Sequence, residues 1–278
     1  MSRTTWVYTV FLLLSVVLVV TVILVPRQAW LRLMDSDSDN PFKRLPEGIT
    51  VAVERNYYPF AYIDHKGQLV GFDVDVARYV CTQMQLKCNI TMMRLSDIPA
   101  ALTANQVQMA VACVSYTPDD NETLSYSLPY YRNKLLFIGR VNRYPPFVPD
   151  NTSYGERYTV GVRAGTNQQH WLLQHYPELS NIVVYPDLFS LVKAMYNGDI
   201  DMICVGSYVG YEIIKNTTHG YYDEVPFADM TQVPSQSAHI VVSKQNDEQI
   251  EAINDALQQM YLSGTYQTLA YRAFSFML

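Results

Sequence analysis

Apolar and polar positions along residues 48–274 fall into short blocks that switch between a period of two and a period near 3.6. GITVAVE (48–54) is apolar and β-branched, which predicts a strand. In GFDVDVARYVCTQMQ (71–85), Phe72, Val76, Val80 and Met84 recur at helical spacing. CNITMMR (88–94) then reads as a strand, DIPAALTAN (97–105) as a helix and VQMAVACVS (107–115) as a strand. A helix start follows at Thr117, and NKLLFIGRV (133–141) is a further strand. A second series begins with RYTVGVRAGT (157–166), a strand running into a turn, and NQQHWLLQHY (167–176), a helix. It continues with strand NIVVY (181–185), helix DLFSLVKAMYNG (187–198) and strand DIDMICVGS (199–207). AHIVVSK (238–244) is a last strand, before helices at 247–264 and 265–274. Strands alternating with helices imply an α/β protein with mostly parallel sheets covered by helices, here in two lobes. We expect 47–140 with 239–278 to form lobe 1, and 141–238 to form lobe 2. Ligands in such sheets sit at the carboxyl ends of the strands, where helices begin.

Residues 6–25, WVYTVFLLLSVVLVVTVILV, stand apart because they carry no charge and are long enough to cross a bilayer. A cleaved signal peptide is the alternative, but no small-x-small site closes the run. The expectation is a retained transmembrane anchor, with residues 1–5 as a cytoplasmic tip. Residues 26–46 form a linker that becomes acidic and proline-broken. Arg3 precedes the span while Arg27 and Arg32 follow it, so positive charge does not favour an exported body.

The chain has 278 residues, 49% hydrophobic and 17% charged, which suits a folded body and excludes disorder. A net charge of −6 without a basic stripe excludes a nucleic-acid binder. Of the four cysteines, Cys113 and Cys204 sit inside apolar runs and read as core. Cys81 falls late in a helical pattern and Cys88 opens the next strand. Their spacing fits a short-loop disulfide or two buried thiols equally well. No spacing suggests zinc, and no cofactor is expected.

The stretch VACVSYTPDDNETLSYSLPYY (111–131) runs from a buried strand to a helix start, a place where free N–H groups would favour an anion, yet Asp119 and Asp120 follow at once. Helix capping explains these acids without a ligand: a threonine N-cap, a proline in the first turn, and acids that suit the dipole. The same stretch resembles the Ser-x-Thr-x-x-Arg and Phe-Ser-x-Pro-Tyr-Tyr segment of the periplasmic binding proteins for polar amino acids. VAVERNYYPFAYIDHKGQLVGFDVDVARYV resembles that family's opening strand, Tyr-x-Pro-Phe, hairpin and Gly-Phe-Asp-x-Asp. VGVRAGTNQQ is similar to its second-lobe Val-Gly-Val-x-x-Gly-Thr, and NGDIDMICVGS and LSGTYQTLAYRAF to its later segments. The resemblance implies a two-lobed periplasmic binding fold over residues 47–276. It also implies a Cys81–Cys88 disulfide, since basic-amino-acid binders carry one there, and hence a body outside the cytoplasm at the inner membrane.

Carried over by position, Tyr57 matches the aromatic that covers the ligand side chain, and Glu54 an acidic position near that side chain's end. Cys113 and Ser115 fall where main-chain N–H and a hydroxyl meet the ligand carboxylate. Thr166 and Asn167 fall at the second-lobe helix start, where N-capping alone would explain them. Arg163 replaces a position that is often apolar and either reaches into the cleft or lies solvated at its rim. Two departures stand out. Asp120 occupies the place of the arginine that fixes the α-carboxylate, and Gly206 that of the aspartate that fixes the α-ammonium. If no standard amino acid binds, Asp120→Arg with Gly206→Asp should create measurable affinity, provided the rest of the cleft is intact. Three functions compete: a membrane-tethered binder of a small polar, amino-acid-like solute for an ABC importer, a degenerate domain serving as sensor or subunit of an envelope complex, and an enzyme. Catalysis ranks last, because no Ser/His/Asp, metal or phosphate-loop motif supports it. The expected partners are the ligand, the inner membrane and a membrane protein (transporter or envelope complex).

Overall fold

The computed structural model describes residues 48–114, 122–146, 157–175, 181–217, 220–226 and 235–274. The expected tip, anchor and linker, the helix start at Thr117, Ser115 and Asp120 lie outside these residues. No helix among the described residues is long and apolar enough to cross a membrane.

Strand β1 (Ile49–Glu54) lies between β4 (Cys88–Met93) and β5 (Met109–Val114), parallel to both. Helix α1 (Phe72–Gln83) covers this group and α2 (Ile98–Thr103) links β4 to β5. In the second half β7 (Val160–Arg163) lies parallel to β8 (Ile182–Tyr185) and β9 (Met202–Gly206), with α3 (Asn167–His175) and α4 (Leu188–Asn197) between them in the chain. These parallel trios match the expected pattern. What joins them is antiparallel: β6 (Leu124–Arg140) and β11 (Ser235–Ser243) run through the middle, in the strand order β4-β1-β5-β11-β6-β9-β7-β8. Strand β6 pairs with β11 over Leu124–Lys134 and with β9 over Leu135–Gly139, so one strand serves both halves. The last helices, α6 (Gln249–Leu262) and α7 (Thr265–Ala273), return to pack on β6 and α1.

Three elements depart from the sequence expectation. The first half of β6 is absent from the expected elements, and it contains Pro129, which lacks an N–H and cannot complete a ladder. The partner strand accommodates it by shifting register around His239, the residue opposite Pro129. Helix α5 (Ser207–Asn216) carries Gly210, which weakens its helical signal. A side chain there would meet Leu136 Cδ2 at 2.4 Å, so the glycine lets the helix lie close on β6. The short β10 (Tyr222–Val225) pairs with the end of β6. A hairpin, β2 (Tyr62–Ile63) with β3 (Leu69–Val70), stands where the resemblance implied one.

The implied disulfide is present. Register places Ile49 opposite Cys88, so β4 starts level with β1 and close to the last turn of α1. Cys81 and Cys88 are bonded across a Cα separation of 6.2 Å, inside the range that a disulfide bridges. Cys204 is core, packed with Leu135, Phe137 and Val162.

Helix α1 buries a carboxylate. Asp73 is fully buried in its first turn, accepting hydrogen bonds from Tyr130 Oη at 2.8 Å and Cys113 Sγ at 3.2 Å. Burial pushes its carboxyl up to about 7 despite those two donors, and the Glu54 charge adds to the rise. Between the ordinary value of 3.8 and about 7, the native state holds a proton that the unfolded chain has lost. Stability therefore falls as pH rises through that window, by an upper bound on the order of 4 kcal/mol once Asp73 is ionised. Asp73→Asn keeps an acceptor for Tyr130 and removes the titration. Urea midpoints measured from about pH 4 to about pH 8 should fall less steeply for the variant than for the parent. Parallel profiles would show that Asp73 is not the group responsible.

Candidate functional site

The carboxyl ends of β1, β5, β7 and β9 supply the candidate residues, as expected for parallel strands. Beyond β1 the chain turns through Asn56 in the left-handed region, φ 52°, and Tyr57 is fixed by a bridge to Ala61. Beyond β7, Gly165 at φ 71° redirects the backbone into α3. Thr166 caps that helix, its hydroxyl accepting from Gln169 N at 3.2 Å and donating to Arg163 O at 2.7 Å. The capping role expected of Thr166 is thus real, and Asn167 opens the helix.

Tyr57, Cys113, Arg163, Thr166 and Asn167 line one cavity of about 150 Å³. Tyr131, Asn133 and Gln236 share it. Tyr131 closes the Pro-Tyr-Tyr segment already matched to the family, whereas Asn133 and Gln236 have no signal in the sequence, because the register of the central antiparallel pair places them there. The cavity wall mixes uncharged polar side chains with apolar ones such as Leu95, Pro99 and Val114, and Arg163 is its charged residue among those described. Glu54 does not reach this cavity; it lines a neighbouring one of about 460 Å³ with Arg94, Asp187 and Arg163.

Arg163 neither lies at the rim nor stays solvated. It is buried, forms an ion pair with the buried Glu54, and places its guanidinium carbon 4.2 Å from the centre of the Tyr57 ring. Burial opposes both charges. It pushes the Glu54 carboxyl up, against the attraction of Arg163. In Arg163 burial is outweighed by Glu54 and Tyr57, so the guanidinium stays cationic. Burial likewise raises the Tyr57 phenol and the Cys113 thiol, which both stay protonated. The Cys113 N–H, expected to face a ligand carboxylate, instead donates to Tyr130 Oη at 3.0 Å. That bond belongs with the left-handed φ of 53° at Cys113, a conformation that costs energy for a non-glycine residue.

Gly206 does not leave an empty corner. A Cβ there would lie 2.0 Å from Asn133 Nδ2, and Asn133 Oδ1 accepts from both Ser207 N and Ser207 Oγ at 2.8 Å. Asn133 therefore fills the space that a side chain at 206 would use and caps α5. A side chain at position 206 therefore requires Asn133 to move.

Residues 49–275 match the model of the bacterial extracellular solute-binding proteins, family 3. The chain belongs to that family. Among the relatives of this family-3 protein is the putative ABC transporter arginine-binding protein 2 of Escherichia coli K12, 28% identical over 80% of this chain and 89% of its own. The arginine-, lysine-, histidine-binding protein of Geobacillus stearothermophilus superposes with a TM-score of 0.72 at 20% identity, covering 83% of this chain and 96% of its own. An ancestral amino acid-binding protein described as a precursor of cyclohexadienyl dehydratase gives 0.70 at 20% identity, covering 81% and 94%. At such identities the two structures establish the shared two-domain solute-binding fold and nothing finer. The family-3 assignment agrees with the resemblance read from the motifs.

The contact at Gly206 can be measured. Gly206→Ala should cost about 1–3 kcal/mol by overpacking against Asn133. In a double-mutant cycle with Asn133→Ala, the combined loss should be smaller than the sum of the single losses. Additive losses by urea unfolding would show that the two positions do not share one space.

Proposed function

We propose that this chain is an extracytoplasmic solute-binding protein that closes two lobes on a small polar, amino-acid-like ligand for ABC import. The observation that carries this reading is the single cavity to which Tyr57, Cys113, Arg163, Thr166 and Asn167 all contribute, at strand carboxyl ends from both halves. Tyr57 would cover the ligand, and Thr166, Asn167 and Ser115 would hold its polar end; Asp120 and Gly206 mark where the standard clamp has been lost. We assign 47–140 with 239–278 to lobe 1 and 141–238 to lobe 2. Pairing of Leu135–Gly139 with β9 favours a crossover inside β6, slightly before 140.

A second reading has its own support. The Glu54–Arg163 pair and the Asn133–Gly206 contact fill corners that the family's ligands would use, which favours a degenerate domain acting as sensor or subunit of an envelope complex. Losing both partners of the zwitterion clamp would weaken a free α-amino acid by roughly three orders of magnitude or more. Calorimetry with the standard amino acids should therefore show no submicromolar binding, while native mass spectrometry of unrefolded protein should reveal a co-purifying small polar molecule. Finding no such molecule, and no thermal shift with a metabolite panel, would discard the transport reading in favour of the second.

We also propose that residues 6–25 stay attached as a single-pass anchor in the inner membrane, with the body in the periplasm. The uncharged length of the run and its missing cleavage site support this. Carbonate-washed membranes should retain the protein, with its body open to protease from the periplasmic side. A mature form beginning near residue 27 would mean the segment is a signal peptide.

A further inference from the structure

We propose that Arg163 is an internal stand-in for a cationic ligand: it occupies a cation site built from Glu54 and Tyr57, and so excludes cationic ligand side chains from the cleft. The site is formed by the first half of the molecule and filled by the second. Glu54 ends β1 and Arg163 ends β7, strands that are not neighbours but lie on opposite sides of the central β11–β6 pair. The two residues are 109 positions apart and both buried.

The corner has the composition a cation needs. A buried carboxylate supplies the charge, and the face of a buried tyrosine supplies a second, desolvated attraction. A planar guanidinium satisfies both at once, by pairing edge-on with the acid and stacking its plane on a ring. One Glu54 oxygen, Oε2, is buried without a hydrogen-bond partner among the described residues, so the corner has acceptor capacity beyond what Arg163 uses. Arg163 also lines three cavities: the one of about 150 Å³, that of about 460 Å³, and a small one beside Gly206. It is the residue common to all three linings. Shortening it would leave the acid and the ring in place and join these spaces into one chamber large enough for a guanidinium compound.

The inference does not depend on which solute the cleft carries, because its probes are read only against the Arg163 variant. The experiment is a chemical rescue of Arg163→Ala with methylguanidinium and with L-arginine, N-methylurea being the uncharged control. In the variant both cations should raise the melting temperature in a saturable way and bind at least about 30-fold more tightly than to the parent, the ratio expected for restoring one partner of a buried charge pair. N-methylurea should do neither, and Glu54→Gln/Arg163→Ala should lose the response. Leaving Glu54 buried and unpaired is strongly destabilising, so the variant is also refolded by dilution with and without each probe. Recovery of folded protein only with the cations supports the proposal. A variant that folds and binds neither cation overturns it, as does one that neither cation helps to fold. Tight binding of L-arginine to the parent protein would also overturn it, since the corner would then be open with Arg163 in place.

Discussion

The pairing of β6 with β11 is the contact on which the cleft depends. Parallel strands must return to the same end of a sheet through helices, so two parallel trios on their own would be separate domains with separate cores. Here a single long strand is antiparallel to β11 in its first part and to β9 in its second, and it fixes both trios to one ladder. The carboxyl ends of β1 and β5 then face those of β7 and β9. The same pair carries Asn133 and Gln236 into the cavity, so the joint between the halves is also part of the site's wall.

Around that joint the protein buries ionisable groups, and each is accommodated in a different way. Asp73 accepts from Tyr130 and Cys113, and burial dominates its titration. Glu54 and Arg163 neutralise each other, with the tyrosine ring completing the desolvated surroundings of the guanidinium. A buried pair of this kind is weak evidence for stability, because desolvation offsets most of the attraction. Its clearer consequence is positional, since two charges that cannot be separated without a large cost hold the ends of β1 and β7 together. Asn133 does the same with neutral groups, its carbonyl taking the first N–H of α5 where Gly206 leaves room.

Family membership and site chemistry therefore point in partly different directions. The fold is that of proteins named for arginine, histidine or cystine binding. In this chain the positions that the resemblance assigns to a ligand are occupied by the protein's own side chains at two corners and left open at the centre. The cavity of about 150 Å³ is lined by apolar and uncharged polar side chains, with Arg163 the charged residue among the described ones.

Residue pattern by itself determined the alternation of strands and helices, because periods of two and 3.6 reflect one buried face per element. Ordered motifs gave the family, and through it the Cys81–Cys88 bond, which spacing alone left open. Local signals failed where a partner strand or helix decides the outcome: Pro129 is tolerated because β11 shifts register opposite it, and Gly210 sits in a helix because Leu136 packs against it. At the site, the N-cap at Thr166 was legible because it is a local feature of the helix start, while Tyr57 was singled out only through the resemblance. The fate of Arg163 was not legible, since whether it faces solvent or Glu54 depends on two strands far apart in the chain. The filling of Gly206 by Asn133 was equally hidden, because the two lie 73 residues apart and only the β6 register brings them together. Sequence order carries periodicity and local turn chemistry; which charges meet, and which spaces are already full, is decided when the strands are laid side by side.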